Sequence, residues 1–469
     1  MRLQDIIGQI VNTCSLSTWY PVRRQVNQSL QSGLKYRRFF YNLPATIQNQ
    51  ELLHTLQEVV RNARRSVPYY ADLLRHYPDT FPESFAEYRA LAPLDKATIK
   101  LHSRDLIAAE FQRSKLIACS TSGSTGEPTV VYSSPTDVGW RLSSEQFYYS
   151  LLDCQPGNRV GRFYGGSVEN NGGSSVPGKV KNWFLNRLQN DCLILDEEYL
   201  MQIHNRFTKF MPDLIIAYSS GIYALALLLE KKAIRPKYPR KVILCAAEKL
   251  EPHQRATLER VFTAAVVERY GSREIGQMAF QPPEFEAGLQ VDRCACLIEP
   301  DGVPDENGIA PMLITTLRNQ AMPLLRYRIG DLARFAPNWT PEEPATHLPE
   351  IVGRTLDYIV LPENKKVFGG MIGLLMQGKD IEAYQVIQFA DSSVHVKIVP
   401  GPNLNGAQRS EIQRTIRNHL IGVTIEFEYP AEITRTTANA KLRPVISHLG
   451  ASPQIPDQQY LQPDAFYSL

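Results

Sequence analysis

From Lys115 onward the chain repeats one rhythm, in which short runs rich in β-branched and aromatic residues alternate with helical patterns. The runs are KLIACST, TVVYSS, RVGRFYGG, DLIIAYSS, KVILCAAE and AVVERYG. Strand-like runs separated by helices predict α/β layers around a largely parallel sheet, because parallel neighbours need a crossover and the crossover helices cover the sheet faces. Before this region, up to about Ala92, helical stretches such as LLHTLQEVVRNARRSVPYYADLL read as a helical layer leading into the main domain. After EPDGVPDENGIAPMLITTL and LLRYRIGDLARFAP, whose turn residues read as hairpins, the pattern restarts beyond VGRTLDYI as a small unit with AYQVIQFA, VHVKIVPG, the helix EIQRTIRNHL and TIEFEYP.

At 469 residues the chain is too long for one ordinary core. The expected architecture is a large domain over residues 1–356, layered from sheets and helices, with a small α+β domain over 357–469 and a cleft between them. The tail after Ser447, rich in Pro and Gln, reads as a surface-wrapping or loose end.

Composition narrows the function classes. Fifty-one basic against 48 acidic side chains leave a formal charge of +3, too balanced for a protein steered onto a phosphate backbone, so nucleic acid is not an expected partner. Seven cysteines, an odd number at scattered spacing, do not form a disulfide framework and point to reduced thiols in the cytoplasm. The first residues, MRLQDIIGQIVNTCSLSTWYPVRRQ, lack a continuous apolar signal core. LIIAYSSGIYALALLL is too short for a membrane span and is interrupted by Ser219, Ser220 and Gly221, so it reads as a strand end followed by a buried helix.

The segment CSTSGSTGEPTVVYSSP carries the most chemistry. A strand runs into a loop where Gly123 and Gly126 permit close backbone approach, and Ser120, Thr121, Ser122, Ser124 and Thr125 offer hydroxyls to phosphate oxygens. From composition alone a solvated Ser/Gly turn fits equally well. No Lys follows the second glycine, so the loop is not of the Walker type, and the formal match at Gly373 to Lys379 has apolar intervening residues and Asp380 in the hydroxyl position. Farther on, Tyr270 ends a β-rich run, where a planar ring can stack on a base, and Glu274 follows a Gly-containing turn, where its oxygens can hold Mg²⁺ between phosphates. Taken alone, these are a core aromatic and a surface carboxylate. Asp331, after Gly330, is expected at a strand-to-turn junction.

TSGSTGEPT, RYGSREIG, LLRYRIGDL, VGRTLDYI and ANAKLRPVI occur in the order found in adenylate-forming enzymes, the superfamily of acyl-CoA synthetases, luciferases and peptide-synthetase adenylation domains. AMPLLRYRIGDL, AYQVIQ and KLRPVIS most resemble the phenylacetate-CoA ligase-like branch, which includes proteins of capsular polysaccharide biosynthesis. The resemblance covers about Leu116 to Ser447. It implies that the Ser120–Gly126 loop, Tyr270, Gly271, Asp331 and Arg354 bind ATP, with Asp331 on the ribose hydroxyls, and that Glu274 holds Mg²⁺. It implies further that Arg354 brings charge near the ribose or phosphates, that Asp357 is the hinge of a mobile small domain, and that Lys441 holds the reacting carboxylate and α-phosphate. Ala440 stands where the family commonly has Gly. Tyr218, Ser219, Gly221, Ala246, Ala247 and Glu248 fall where the family lines its acyl pocket, although core packing accounts for several of them equally well.

The reaction implied is activation of a small carboxylic acid as acyl-AMP, with release of pyrophosphate, then transfer to a thiol, by default coenzyme A. An amine, a sugar or a carrier protein would use the same first half-reaction. The absence of a G-x-S-x-G elbow agrees with chemistry that needs no nucleophilic side chain. Two rivals from other classes are a non-catalytic nucleotide-binding protein and an enzyme cleaving at the γ-phosphate. The first is opposed by Glu274, Arg354, Asp331 and Lys441 occurring together, the second by the missing Walker lysine and kinase-type catalytic loop. Cys294 and Cys296, in RCACLIE, have no His or Cys partners of zinc spacing nearby and read as alternating strand positions.

Overall fold

The computed structural model describes residues 21–120, 129–164, 182–183, 185–192, 197–354, 358–362, 366–368, 380–433 and 445–449. The chain divides into two compact units, Met1–Val352 and Gly353–Leu469.

In the larger unit, helices α1 (Pro21–Tyr41) and α2 (Ala45–Ser66) come first. Strands β1 (Ile117–Ser120) and β2 (Val130–Ser133) then form an antiparallel ribbon of their own. The first two runs of the largely parallel rhythm therefore pair with each other and stand outside the main sheet. The parallel strands begin after helix α3 (Pro135–Leu151), with β3 (Val160–Phe163), β4 (Arg187–Asn190), β5 (Leu214–Tyr218), β6 (Val242–Ala246) and β7 (Ala265–Ser272). Helices α4 (Glu197–Phe210), α5 (Ser219–Lys231) and α6 (Pro252–Phe262) supply crossovers. Strands β8 (Gly276–Phe280), β9 (Leu289–Val291), β10 (Cys296–Pro300), β11 (Ile309–Thr316), β12 (Tyr327–Arg334), β13 (His347–Leu348) and β14 (Glu350–Arg354) follow.

The main sheet has the order β13-β9-β8-β7-β6-β5-β3-β4, parallel from β4 to β7 and antiparallel beyond. Strands β5 (LIIAY) and β6 (VILCA) are buried throughout, as central strands covered on both faces must be, and this is why their sequences are continuously apolar. One face carries Ile215, Ile243 and Ala217 against Ile222, Leu225 and Leu258 of α5 and α6. The other carries Ile216, Leu244 and Val267 against Phe147, Tyr148 and Leu152 at the end of α3.

Helix α3 is anchored at its start. Ser134 caps it in a reciprocal box with Asp137, and Asp137 also accepts from the Gln320 amide at 3.1 Å, tying the helix to the segment before β12. Helix α1 lies against it at Gly33 and Gly139, where a Cβ would fall 2.1 Å from Ser143 Oγ and 2.4 Å from the Val26 carbonyl. Only glycines allow so close an approach.

Under this contact lies a wholly buried ion pair. Arg37 Nε and Nη2 reach Asp292 Oδ2 at 3.1 and 3.0 Å, Arg37 Nη1 donates to Ser143 Oγ at 2.5 Å, and Ser144 Oγ and Tyr41 OH also donate to Asp292. Cys294 lies in a turn, with only Cys296 in β10, so the two do not alternate along one strand as expected. Burial, then the neighbouring Asp292, pushes both thiols well above their ordinary range.

A second sheet of order β10-β11-β12-β14 packs on the first through Leu297, Ile314, Met312, Tyr327 and Met278, in a core that also takes in Leu56, Val60 and Tyr70 from the helical N-terminal layer. Asp331 does not sit at a strand-to-turn junction. It lies inside β12, at a bulge where three residues, Ile329 to Asp331, face the single Met312 of β11, and Gly330 takes φ +89°.

The smaller unit contains the hairpin β15 (Tyr358–Val360) and β16 (Lys366–Phe368), then β17 (Ile381–Gln388), β18 (Val394–Pro400), helix α7 (Gly406–His419), β19 (Ile425–Glu428) and β20 (Val445–Ser447). Its sheet has the order β19-β18-β17-β20. Val386, Val396 and Ile398 pack on Ile412 and Ile416 of α7. The buried Gln388 amide bonds both backbone groups of Val360, at 2.7 and 2.8 Å, fixing the hairpin to β17. No described helix is long and apolar enough to cross a membrane.

Candidate functional site

Two of the singled-out residues meet directly. Tyr270, in β7 of the main sheet, donates from its hydroxyl to Asp331 Oδ2 of β12 at 2.6 Å. Each comes from an irregular point, Tyr270 beside the register shift that separates it from Gly271, and Asp331 from the β12 bulge. A bulge re-aims a side chain without disturbing the residues on either side, and here it turns a carboxylate of one sheet toward a phenol of the other. Both residues are half-buried, so a planar ring and an acceptor for hydroxyl groups lie side by side and reachable.

Gly271 continues β7, and Glu274 lies in the tight turn into β8. Glu274 is only 7 % exposed, and lines a small cleft with Asp137, Trp140, Arg141, Gln277 and Arg318. Arg141 is held by a 2.9 Å bond from Nη2 to the Arg273 carbonyl. Among the described residues no group of three or more His, Cys, Asp or Glu side chains could hold a metal. So sparse a set of carboxylates suits Mg²⁺ bound mainly by substrate phosphates and water, and does not suit a metal caged by protein.

The proposed pocket residues divide into two sets. Tyr218 and Ala246 are register partners at the C-terminal ends of β5 and β6, and Ala247, exposed, turns away with φ +70°. Ser219, Gly221 and Glu248 serve the framework. Glu248 Oε2 accepts from the Ser220 amide at 3.0 Å, Ser219 Oγ donates to the Glu248 carbonyl at 3.2 Å, and a Cβ on Gly221 would meet Cys192 at 3.0 Å. Together they satisfy and pack the start of α5.

Thr121 to Gly126, Asp357 and Lys441 lie outside the described residues, as do the segment FYGGSVENNGGSSVPG beyond Tyr164 and GLLMQGKD before Asp380. Ser120 closes β1 and Arg354 closes β14, but their side chains are not described.

Sequence reasoning missed a polar group beside Tyr218 and Ala246. Arg269, the register partner of Ala246 on β7, makes an ion pair with Glu145 Oε1 at 3.1 Å and donates to Tyr149 OH at 3.3 Å. Tyr164 stands just past the end of β3, its ring 4.4 Å from that of Tyr218. The missed signal is the spacing of Arg141, Glu145 and Tyr149, four residues apart along α3, which places all three on one helix face.

No family model matches the sequence. It is similar to Protein CapK of Staphylococcus aureus, 21% identical over 411 residues that cover 84% of this chain and 87% of the relative. It is also similar to phenylacetate-coenzyme A ligase of Pseudomonas putida, 23% identical over 255 residues that cover 52% of this chain and 55% of that one. Among solved structures it matches 2-hydroxyisobutyryl-CoA ligase in the postadenylation state with 2-HIB-AMP, at a TM-score of 0.66, with 16% identity, covering 86% of this chain and 90% of that one. The fold is that of the adenylate-forming ligases. The resemblance read from the ordered motifs is therefore borne out, including its branch, since the relatives include a phenylacetate-coenzyme A ligase beside Protein CapK. An open form of 2-hydroxyisobutyryl-CoA ligase holding 2-HIB-AMP and CoA matches at a TM-score of 0.58. For an open α/β sheet the region beyond the carboxyl ends of β5, β6 and β7 is the expected ligand position, because ligands of such sheets bind outside the carboxyl ends of the strands.

Proposed function

We propose that this protein activates a small carboxylic acid as acyl-AMP at the expense of ATP and passes the acyl group to a thiol, coenzyme A being the first choice. The observation that carries this reading is the 2.6 Å bond between Tyr270 and Asp331, which joins a stacking ring and a ribose-type acceptor from two different sheets, on the strand that leads into the turn carrying Glu274.

In this reading the adenine stacks on Tyr270, Asp331 accepts from the ribose hydroxyls, and the loop from Ser120 to Gly126 cradles the phosphates. A carboxylate oxygen of the acid attacks the α-phosphorus, the bond to the bridging oxygen breaks, and pyrophosphate leaves. Glu274 would hold a magnesium ion, which would supply positive charge to the phosphates. Lys441 stabilises the charge that builds as two anions meet, with Arg354 adding a permanent positive charge. Asp357 is the pivot that lets the smaller unit change position between half-reactions. The thiol then attacks the acyl carbon and AMP departs. The similarity to a capsule-type protein keeps transfer to a sugar or amine as the second reading.

The test is carboxylate-dependent exchange of labelled pyrophosphate into ATP, with and without coenzyme A, over aryl, fatty and hydroxy acids. Exchange with some acid supports adenylation; release of ADP in place of AMP and pyrophosphate would sink it. Asp331→Asn should weaken ATP binding about tenfold or more, the scale of one hydrogen bond to a charged group, with little change in acid KM. Glu274→Gln should raise the Mg²⁺ concentration needed for half-maximal exchange, and an unchanged Mg²⁺ curve would remove the metal assignment.

A further inference from the structure

The polar group beside the proposed acyl pocket carries more positive charge than the described residues neutralise. Arg162 of β3 and Arg187 of β4 lie on the same sheet face as Arg269, by register: Arg162 partners Ile216, Ile216 partners Leu244, Leu244 partners Val267, and Arg269 is two residues on. Arg187 partners Val160, two residues before Arg162. Alternation along a strand keeps positions two apart on one face. Helix α3 packs against that face and presents Glu145 and Tyr149 to it.

One carboxylate therefore serves several guanidiniums. Burial alone would raise the Glu145 carboxyl, but Arg269, Arg162, Arg187 and Arg141 together hold it below the ordinary range. Among the described residues neither Arg162 nor Arg187 makes an ion pair, and Arg187 is exposed at the edge of the sheet. Arg269 already holds Glu145, so the charge of the other two is available to a ligand.

The location assigns the ligand. Tyr164, Tyr218, Ala246 and Arg269 follow one another across the ends of β3, β5, β6 and β7, and the residue after Arg269 is Tyr270. Strands are spaced ~4.8 Å apart, so this row spans about 14 Å, the scale of an extended small acid plus the reach of arginine side chains. An acid whose reacting carboxylate lies near the β7 end can therefore lay its far end over β5 and β3, toward Arg162 and Arg187.

Resting on the adenylation reading for which end reacts, we propose that the acid accepted here carries a second anionic group, a carboxylate or a phosphoryl group, which Arg162 and Arg187 bind. A guanidinium meets either group with paired N–H donors, and Tyr164 and Tyr218 wall the space between the two ends. Glu145 sets the strength of the site by neutralising Arg269 and lowering the local potential.

The test is direct calorimetric binding of succinate, adipate and suberate against butyrate, hexanoate and octanoate, and of a phosphonoalkanoate of matched length, to the full chain with and without ATP. Pyrophosphate exchange is measured on the same panel. At least one dianion should bind about tenfold or more tighter than the monoacid of equal length, and the dicarboxylate and phosphonate arms separate the two sources of the anion. R162Q/R187Q should abolish that preference while ATP binding and the unfolding midpoint hold. Glu145→Gln, which removes the competing carboxylate, should strengthen dianion binding, an opposite change that misfolding would not produce. Dianions binding no better than monoacids, or a double variant with its preference intact, would overturn the proposal. So would an effect confined to the KM for coenzyme A, since the anion would then belong to the acceptor. If exchange is silent with every acid but dianion binding still depends on Arg162 and Arg187, the adenylation reading fails and the anion site stands.

Discussion

Arg37→Ala is expected to cost the larger unit about 3–5 kcal/mol, enough to remove much of the stability of an ordinary domain. The Arg37 and Asp292 side chains are both wholly inaccessible to solvent. Removing the guanidinium leaves a buried carboxylate facing only the Ser144 and Tyr41 hydroxyls and the Cys294 amide. It also deprives Ser143 of its donor, at the point where α1 approaches α3 too closely for water to fill the gap easily. Arg37→Lys, which keeps the charge but loses the paired geometry, should cost less. The check is the denaturant midpoint of each variant at unchanged slope. A shift below about 1 kcal/mol for the alanine variant would mean that water or a neighbour compensates the carboxylate after all.

The second large effect falls on chemistry. Lys441→Ala should reduce pyrophosphate exchange by about a hundredfold or more while ATP affinity stays within a small factor. A charge placed against a developing anion acts on the transition state and contributes little to binding the adenosine. Exchange rate and ATP dissociation constant, measured on one preparation, separate the two. Equal losses in both would assign the lysine to ground-state binding, and an unchanged exchange rate would remove it from the reaction.

What the sequence revealed, and what it did not, follows from the range of the physical signals. The buried strands β5 and β6 were readable because burial on both faces forces a continuous apolar run, and α5 because its apolar pattern begins where that run stops. The ordered motifs led to the fold because they are local strings. Asp331 was named from such a string, but its setting was expected to be a turn, since a glycine before an aspartate reads as one. The bulge exists only in relation to Met312 on another strand. That β1 and β2 pair with each other was not legible for the same reason, because strand composition does not say which neighbour a strand will choose. The arginine group was invisible until register placed it, with Arg162, Arg187 and Arg269 far apart along the chain. Gly221 and Glu248 also pack and cap a helix, a role that neighbours in space define and the string does not show.

The bulge in β12 also bears on how such an enzyme can change over generations. On either side of it, Tyr327, Leu332 and Ala333 hold the core in register with β11. The irregular step releases Asp331 from the alternation that binds those neighbours, so on the adenylation reading proposed above a substitution there alters what the site recognises without obliging any core side chain to repack. The large unit can thus keep a conservative interior while its recognition chemistry drifts, and mutations that retune the ligand need not wait for mutations that restore the fold.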